Sequence, residues 1–419
     1  MRPLPGPTRR GLLLGGGAAL ALPAGAALGA APAPLRLKRG INLWPWFSLT
    51  REFPAPRRDF DWPPFQPERP VPTRADLRRL AQAGLDFVRL PFDPGPFLAF
   101  IGPHREILLG ELTAAIDLCL GEGLKVVVNV QGNEATHHYS PANLYGSEAA
   151  PLLPAYRGLV AEIARRLTKR SQDKVALEPV NEPPQACGAG AWTRVQDGLL
   201  KAARREAPAL TLVATGACGS MVQGLVGLDP EPIRALGPVL FTFHCYEPYL
   251  FSHQGAPWIG DPLYRSLNGV PWPGSAGTRE RTLARVRERM RADRQSTEAE
   301  KRAVYALTES KLTEYFAAAP DRAFLDRALA PVSAWASIYG IPAGDILLGE
   351  FGALKSDARY TASDAPDRAR YLRDMREAAE AAGFPWAVHN IFDGLGIMDE
   401  ATRRLDPAVA AALGLKAGP

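Results

Sequence analysis

Residues 175–184 read VALEPVNEPP, a short apolar run that ends in polar residues and contains Glu182. Residues 346–352 read ILLGEFG and repeat the arrangement with Glu350. Each stretch is typical of a buried β-strand with a glutamate near its carboxyl end. In a parallel α/β barrel these ends meet on one face, where active sites are built. The two stretches therefore predict a pair of carboxylates at the mouth of a barrel.

Six further apolar runs occur in the chain, and amphipathic helical segments separate most of them. The eight predicted strands span residues 39–43, 87–90, 125–130, 175–180, 210–214, 239–243, 346–348 and 386–388. Alternating short strands and helices indicate parallel βαβ units. Eight strands favour a closed (β/α)8 TIM barrel over a doubly wound sheet. Residues 34–419 are therefore predicted to form a single-domain barrel.

Two long insertions interrupt this repeat, after the first and the sixth predicted strands. Residues 47–72 are rich in proline and aromatic side chains and predict an ordered, irregular loop over the barrel mouth. Residues 246–321 contain tryptophans among Gly and Pro, followed by an Arg-rich segment, 279–302. Acidic residues and an apolar stripe are interleaved in that segment. It therefore indicates an exposed amphipathic helix rather than an anion-binding patch.

The first residues have the pattern of an export signal. Arg9 and Arg10 form a twin-arginine pair, and residues 12–28 are apolar and rich in Gly and Ala. Small residues from Ala26 to Ala33 offer cleavage sites. A membrane anchor is the alternative, but the Gly, Ala and Pro content disfavours a spanning helix. We therefore expect a signal over residues 1–33, a periplasmic or secreted protein, and no stable membrane insertion once the signal is removed.

Net charge gives no reason to expect a nucleic-acid partner. The chain has 49 Lys and Arg and 44 Asp and Glu, a net charge of +5. Arg2, Arg9 and Arg10 carry three of these charges and lie in the predicted signal, which leaves +2 on the mature chain. A near-neutral protein lacks the electrostatic footprint of proteins that bind nucleic acids.

The cysteine and histidine spacing does not indicate a metal site. There is no Cys-x-x-Cys pair, and His137 and His138 have no evident third ligand, so neither a metal nor another cofactor is predicted. Cys187 and Cys218 each follow a predicted strand, on adjacent loops. An oxidising compartment would permit a disulfide between them, and the sequence leaves this open.

Five short motifs, each at a predicted strand end, follow the order and spacing of glycoside hydrolase family 5. They are RGIN (39–42), VRLP (88–91), NEP (181–183), HCY (244–246) and GEFG (349–352). Essentially all of the mature chain resembles a cellulase-like enzyme of that family. The resemblance implies a retaining double displacement, in which Glu182 is the acid/base and Glu350 the nucleophile.

The resemblance also implies supporting roles. Arg89 and Tyr246 would hydrogen-bond the carboxylate of the nucleophile and keep it charged. Asn181 would contact the 2-hydroxyl of the sugar, and His244 would face the acid/base. Glu178, four residues before the acid/base, is expected to make a structural polar contact.

Two positions depart from the family pattern. Gln131 ends the third predicted strand, where the family usually has His, and His389 ends the eighth, where it usually has Trp. An imidazole offers a sugar less stacking area than an indole. We therefore expect a more polar cleavage subsite, with polar contacts from His137 and His138, and the departures leave the preferred sugar open.

Tryptophans near strand ends suggest a groove for sugar rings. Trp44 and Trp46 directly follow the first predicted strand and are expected to line this groove. Three more lie on or near later loops: Trp192, Trp258 and Trp272.

Together, these features predict an exported, metal-independent retaining glycosidase that acts on a β-linked polysaccharide or oligosaccharide, foremost an endo-β-glucanase. A mannan-active, exo-acting or exopolysaccharide-specific glycosidase is the alternative among enzymes. A carbohydrate-binding barrel without turnover is the alternative outside them. The set of Glu182, Glu350 and Arg89 favours an enzyme.

Overall fold

Ten strands and fifteen helices form the part of the chain that the computed structural model describes, residues 33–416. The predicted export signal lies outside the described residues, except for residue 33. The strands are Arg39–Asn42 (β1), Thr50–Glu52 (β2), Phe60–Phe65 (β3), Phe87–Phe92 (β4), Lys125–Val130 (β5), Val175–Glu178 (β6), Thr211–Thr215 (β7), Val239–His244 (β8), Ile346–Phe351 (β9) and Trp386–Val388 (β10).

Eight of these strands close a parallel barrel. Its order is β1-β10-β9-β8-β7-β6-β5-β4, and β4 pairs with β1. The (β/α)8 TIM barrel is thus confirmed, and every predicted strand matches an observed one within a few residues. Their carboxyl ends lie on one side, so residues that follow different strands can converge there.

The helices connect the strands or lie within the insertions. They are Arg74–Ala83 (α1), Pro94–Ala99 (α2), Gly102–Gly121 (α3), Pro141–Tyr145 (α4), Leu153–Leu167 (α5), Gly190–Glu206 (α6), Val222–Val226 (α7), Glu231–Arg234 (α8), Tyr249–Ser252 (α9), Pro262–Ser266 (α10), Arg279–Ala292 (α11), Glu298–Ala318 (α12), Arg322–Ile338 (α13), Ala365–Ala381 (α14) and Pro407–Ala412 (α15). No helix within residues 33–416 is both long enough and apolar enough to cross a membrane.

Side chains that point into the barrel form layers. The layer nearest the amino ends of the strands is apolar and includes Phe87 and Ala176. Side chains alternate along a strand, so Arg89 and Glu178, two residues further on, also point inward. Both are fully buried. The barrel therefore has a charged layer directly beneath its mouth.

The long insertion after β1 is confirmed, but part of it is regular. β2 and β3 form an antiparallel hairpin that pairs Thr50 with Phe65 and Glu52 with Phe60. The expectation of an irregular loop was wrong here. Two consecutive prolines, Pro63 and Pro64, lie in β3, and an isolated pair of edge strands tolerates proline better than a central strand does.

Hydrogen bonds attach this hairpin to the barrel. The hydroxyl of Thr50 donates to Asp93 just after β4, at 2.5 Å. The carboxylate of Glu52 accepts the backbone N–H groups of His137 and His138, which follow β5. The hairpin is thus a fixed wall beside the mouth of the barrel.

The insertion after β8 contains α9, α10, α11 and α12. The Arg-rich segment forms α11 and the start of α12 rather than a single helix, with a break between Ala292 and Glu298. Its apolar stripe of Leu283, Val286 and Met290 is buried, which confirms the amphipathic prediction.

Candidate active site

Glu182 and Glu350 meet at the carboxyl ends of the barrel strands. Glu350 lies on β9, and Glu182 follows the end of β6. One carboxylate oxygen of each and a ring nitrogen of His244 all lie within 4.8 Å of one another. Carboxyl groups about 5 Å apart are typical of retaining glycosidases, whereas inverting enzymes place them roughly 6.5–9.5 Å apart. The spacing therefore suits direct attack by one carboxylate on the sugar.

Gly349 allows the close approach of β8 and β9 at this point. A Cβ atom on residue 349 would lie 2.5 Å from the hydroxyl of Thr242 and 3.2 Å from Nε2 of His244. The register between the two strands also shifts here, so that His244 pairs with Glu350. The glycine and the shift together bring the imidazole beside the carboxylate.

Arg89 uses all five of its N–H donors. Nε and Nη2 form a bidentate pair with Glu178 at 2.7 and 2.8 Å. Nη1 donates to Glu350 at 2.5 Å and to Asn42 at 2.8 Å, and Nη2 also donates to Asn181 at 2.7 Å. Because the donors of a guanidinium form a rigid fork, these contacts fix Glu350 and Asn181 relative to each other.

Glu178 balances the charge of Arg89. Both side chains are 0 % exposed, and a buried guanidinium without a partner would be strongly destabilising. Glu178 and Glu350 thus flank one buried cation. The structural polar contact expected for Glu178 is present. Its inward direction could have been inferred from the alternation along β6, where Ala176 and Glu178 share a face.

The surroundings of Glu350 hold it in the ionised form. Burial opposes ionisation, but the electrostatic interactions of Glu350 with His244, His389 and Arg89 outweigh it. Together with a hydrogen bond from Tyr246 at 2.8 Å, they lower the pKa of Glu350 well below its usual range. Burial and the nearby carboxylates raise the pKa of Tyr246, so its hydroxyl keeps the proton that it donates.

Glu182 is far less enclosed. Its side chain is 42 % exposed, and Oε1 lies 2.8 Å from Nδ1 of His244. Burial disfavours the charged imidazole, but the charges of Glu350 and Glu182 outweigh burial and raise the pKa of His244. Glu182 also has a φ of 43°, in the left-handed region where a side chain is strained. The neighbouring backbone must therefore hold it in place.

Contacts between two loops hold that backbone. Cys187 and Cys218 form a disulfide, which answers the question that the sequence left open. The backbone N–H of Gly219 donates to the carbonyl of Pro183 at 2.9 Å. The position of Glu182 thus depends on the pairing of the loops after β6 and β7.

Three polar atoms beside this pair have no hydrogen-bond partner among the described residues. They are Oε1 of Gln131, Nδ1 of His389 and Oδ1 of Asn390. Nδ1 of His389 lies 3.5 Å from Glu350, and its ring centroid lies 6.4 Å from that of Trp44. Burial is the largest cause of the lowered pKa of His389. Two of the three atoms belong to the positions that depart from the family pattern.

Two cavities open from the pair of Glu182 and Glu350 toward opposite halves of the barrel mouth. One, the hairpin cavity, has a volume of about 340 Å³ and is lined by Thr50 of the hairpin and Asn133 after β5, among others. The other, the insertion cavity, has a volume of about 520 Å³ and is lined by Tyr246 and Trp258 of the second insertion, among others. Both are lined by Trp44, Gln131 and Glu182, so they form one cleft across the mouth.

The protein family and the relatives that match this chain agree with the geometry of the site. Residues 54–392 match the family model described as Cellulase (glycosyl hydrolase family 5). The chain belongs to glycosyl hydrolase family 5. Cellodextrinase A of Ruminococcus flavefaciens is 27 % identical over 225 residues, 53 % of this chain and 62 % of that protein. Endoglucanase 3 of Fibrobacter succinogenes is 23 % identical over 334 residues, 74 % of this chain and 45 % of that protein.

A solved structure shares the fold. The cellulose synthase subunit Z from Clostridioides difficile superimposes with a TM-score of 0.63 at 20 % identity, and the match covers 90 % of this chain and 99 % of that one. The chain spans only 62 % and 45 % of the lengths of the two curated relatives. Membership of the family therefore rests on the match to the family model, and the fold rests on the closed barrel.

The tryptophans of this family 5 chain are distributed differently from the expectation. Trp44 lines both cavities, but Trp46 lines neither and packs at 8 % exposure against Phe47, on another side of the barrel. Trp192 and Trp272 are buried core residues. Trp258 is half-exposed and lines the insertion cavity. Proximity to a strand end did not distinguish these cases, because the turn after the strand decides where the side chain points.

The histidines after β5 also differ from the expectation. Nδ1 of His137 lies 2.8 Å from Glu52 of the hairpin, and neither His137 nor His138 lines the two cavities. They stabilise the wall of the cleft and do not replace the family histidine at position 131.

The cluster of Glu182, His244 and Glu350 could offer three ligand atoms to a metal ion. Its surroundings fit a metal poorly, because Glu350 already accepts hydrogen bonds from Arg89 and Tyr246. The buried guanidinium would also repel a cation. The arrangement suits proton transfer and nucleophilic attack.

Proposed function

We propose that this protein is a retaining glycoside hydrolase, with Glu350 as nucleophile and Glu182 as acid/base. The observation that carries the proposal is the meeting of two carboxylates in unequal surroundings within 4.8 Å. Retaining cleavage requires one ionised carboxylate and one carboxyl that exchanges a proton. A binding barrel without turnover would have no need for an ionised carboxylate that faces a second, proton-accessible one.

In the first step, a Glu350 oxygen attacks the anomeric carbon and the glycosidic C–O bond breaks. Glu182 gives its proton to the departing oxygen. In the second step, Glu182 takes a proton from water, whose oxygen attacks the anomeric carbon and releases the Glu350 carboxylate. Asn181 supports both steps: Arg89 engages its carbonyl oxygen, so its amide nitrogen is the group available to the sugar 2-hydroxyl.

The cleft favours an endo-acting enzyme on a β-linked glucan. Cavities extend from the catalytic pair in two directions, so sugar units can lie on both sides of the cleaved bond. An exo-acting enzyme would need a wall close to the pair on one side. The names of the two curated relatives, a cellodextrinase and an endoglucanase, support the same substrate class.

A panel of polysaccharides with product sizing tests this proposal. We expect purified protein to cleave a soluble β-glucan into a range of oligosaccharides, with a rapid fall in viscosity. Release of a single small product from the outset would contradict endo action. No cleavage of any β-linked polysaccharide or oligosaccharide would contradict the enzyme and support the binding barrel.

A mannan-active enzyme is the second candidate, because the subsite beside Glu350 is polar. The unpaired atoms of Gln131, His389 and Asn390 can hydrogen-bond a sugar hydroxyl that an indole would only pack against. An axial hydroxyl, as in mannose, projects from the ring face and suits such a surface. If β-mannan is the better substrate, His389→Trp should move the preference toward glucan, by roughly 1 kcal/mol of aromatic packing. An unchanged ratio of kcat/KM values would contradict a role for His389 in specificity.

We also propose export through the twin-arginine signal in residues 1–33, to the periplasm or the exterior. The disulfide supports an oxidising compartment, because such bonds are rare in the cytosol. Arg9→Lys combined with Arg10→Lys should leave uncleaved precursor in the cytoplasm. Unchanged export of the double variant would contradict this route.

A further inference from the structure

Arg368 on α14 is a buried cation that the catalytic mechanism does not use. It is 3 % exposed, and among the described residues it forms no salt bridge. Burial lowers its pKa to about 10, despite the charges of Asp406 and Asp357, so the guanidinium is still charged near pH 7. A buried charge without an ion-pair partner is costly. The hydrogen bonds of Arg368 therefore indicate what it contributes.

Three backbone carbonyls accept these hydrogen bonds. Nε of Arg368 donates to Ala353 at 2.8 Å, in the loop after β9. Nη2 donates to Leu395 at 2.8 Å and to Gly396 at 3.1 Å, in the loop after β10. Because the donors of a guanidinium point in fixed directions, this one side chain ties the two loops together. A lysine has a single nitrogen and cannot reproduce the fork.

The two loops also contact each other directly. The backbone N–H of Lys355 donates to the carbonyl of Gly394 at 2.9 Å. A Cβ atom on Gly352 would lie 2.4 Å from the carbonyl oxygen of His389, so the glycine allows the two backbones to approach. The loop after β9 follows Glu350, and the loop after β10 begins at His389. The contacts between the loops therefore set the position of His389 beside Glu350.

The first two side chains of the loop after β10 depend on their backbone for their direction. Nδ1 of His389 and Oδ1 of Asn390 have no hydrogen-bond partner among the described residues. Both residues line the insertion cavity. The carbonyl of Asn390 accepts the N–H of Ile397 at 3.0 Å, directly after the two carbonyls of this loop that Arg368 binds. A change at Arg368 should therefore reach His389 and Asn390 through the backbone.

We propose that Arg368 is a positioning residue for substrate recognition: it ties the loops after β9 and β10 together and thereby holds His389 and Asn390 in place to contact the sugar. This inference rests on the proposed glycosidase function and adds a determinant of specificity to it. Arg368 lines neither the hairpin cavity nor the insertion cavity. Its effect on the substrate must therefore pass through the two loops.

Kinetics of Arg368→Met on cellohexaose and mannohexaose test the proposal. Methionine keeps an extended side chain but removes every donor. For the better of the two probes, KM should rise about tenfold, whereas kcat should fall less than about threefold. The chemical step is less affected because Arg89 and Tyr246 still bind the carboxylate of Glu350 directly. Arg368→Lys keeps a donor for one loop and should recover part of the loss.

A double-mutant cycle separates positioning from a general loss of stability. In a background of His389→Ala with Asn390→Ala, Arg368→Met should raise KM by less than about twofold, because the side chains that it positions are already absent. Losses that multiply in this background would overturn the proposal. If Arg368→Met does not give folded protein, Arg368→Lys takes its place in the cycle, under the same criterion.

Arg370→Met is the matched control on the same helix. Arg370 also donates to a backbone carbonyl, that of Trp272 at 2.8 Å, and lines neither cavity. Its loss should lower the melting temperature and leave KM unchanged. An unchanged KM after Arg368→Met, or an equal rise after Arg370→Met, would overturn the positioning role.

The two proposals fail in different ways. If the wild-type protein cleaves either hexasaccharide but the losses multiply in the cycle, only the positioning role is wrong. If the wild-type protein neither cleaves nor binds either probe, the glycosidase and the positioning role are both overturned.

Discussion

The two carboxylates of the cleft differ in every respect that sets their chemistry. Glu350 is part of the sheet, is buried, and has contacts from Arg89 and Tyr246 that favour its charge. Glu182 lies on a loop, is 42 % exposed, and contacts His244. The surroundings of Glu350 stabilise a carboxylate anion, whereas the exposed position of Glu182 allows proton exchange with solvent. The contrast indicates that a division of roles can arise from burial and anchoring, although both residues are glutamates.

The largest effect is expected from removing the fixed anion. Glu350→Gln should lower kcat by at least about 10⁴-fold, because loss of a covalent nucleophile removes the pathway itself. Steady-state hydrolysis of a soluble β-glucan measures this. Glu309→Gln, an exposed position on α12, is the control and should be unaffected. A loss below tenfold at Glu350 would remove the distinction between the two carboxylates.

Glu182→Gln should have a smaller effect that depends on the leaving group. On polysaccharide we expect a loss of about 10²–10³-fold, typical of a missing general acid. On an aryl glycoside with an acidic phenol as leaving group, which needs no proton, the glycosylation step should be nearly unimpaired. Burst kinetics on both substrates separate that step from hydrolysis of the intermediate. Equal losses in the two glycosylation rates would contradict the assignment of Glu182.

Loss of the disulfide should disturb the position of Glu182 more than that of Glu350. Its two cysteines are 31 residues apart, and losing the cross-link that closes a loop of that length costs about 3.7 kcal/mol of stability by the chain-entropy account. We expect Cys187→Ser with Cys218→Ser to lower the melting temperature and to impair polysaccharide cleavage more than aryl glycoside cleavage. Proportional losses on both substrates would mean that the loop pairing does not position the acid. Cys119→Ser, at a buried free cysteine, is the control for cysteine substitution.

The smallest effect concerns the pH profile. The raised pKa of His244 means that this imidazole carries positive charge to a higher pH than an ordinary histidine. This charge faces Glu182 and Glu350 and is lost as the pH rises through the pKa of His244. His244→Asn keeps a hydrogen-bond donor but removes this titration, so the alkaline part of the kcat/KM profile should change shape. An alkaline profile identical to that of the wild type would contradict this electrostatic role. Glu350, with its lowered pKa, should not contribute the acid limb.

The sequence predicted the barrel and the meeting of Glu182 and Glu350 at its mouth, because both depend on local patterns. Apolar runs mark the strands, and a glutamate near a strand end marks the mouth. The features that the sequence did not predict depend on contacts between residues that are far apart in the chain. Trp44 and Trp46 follow the same strand but point to different sides of the barrel. Trp258 is exposed because none of residues 33–416 covers it, and no local sequence pattern reveals this.

The anomeric configuration of the first product tests the account most directly. Proton NMR can follow the hydrolysis of a β-linked oligosaccharide before mutarotation mixes the anomers. Two carboxylates about 5 Å apart predict that the β-anomer appears first and then equilibrates. Initial appearance of the α-anomer would mean a single displacement by water and would contradict nucleophilic attack by Glu350.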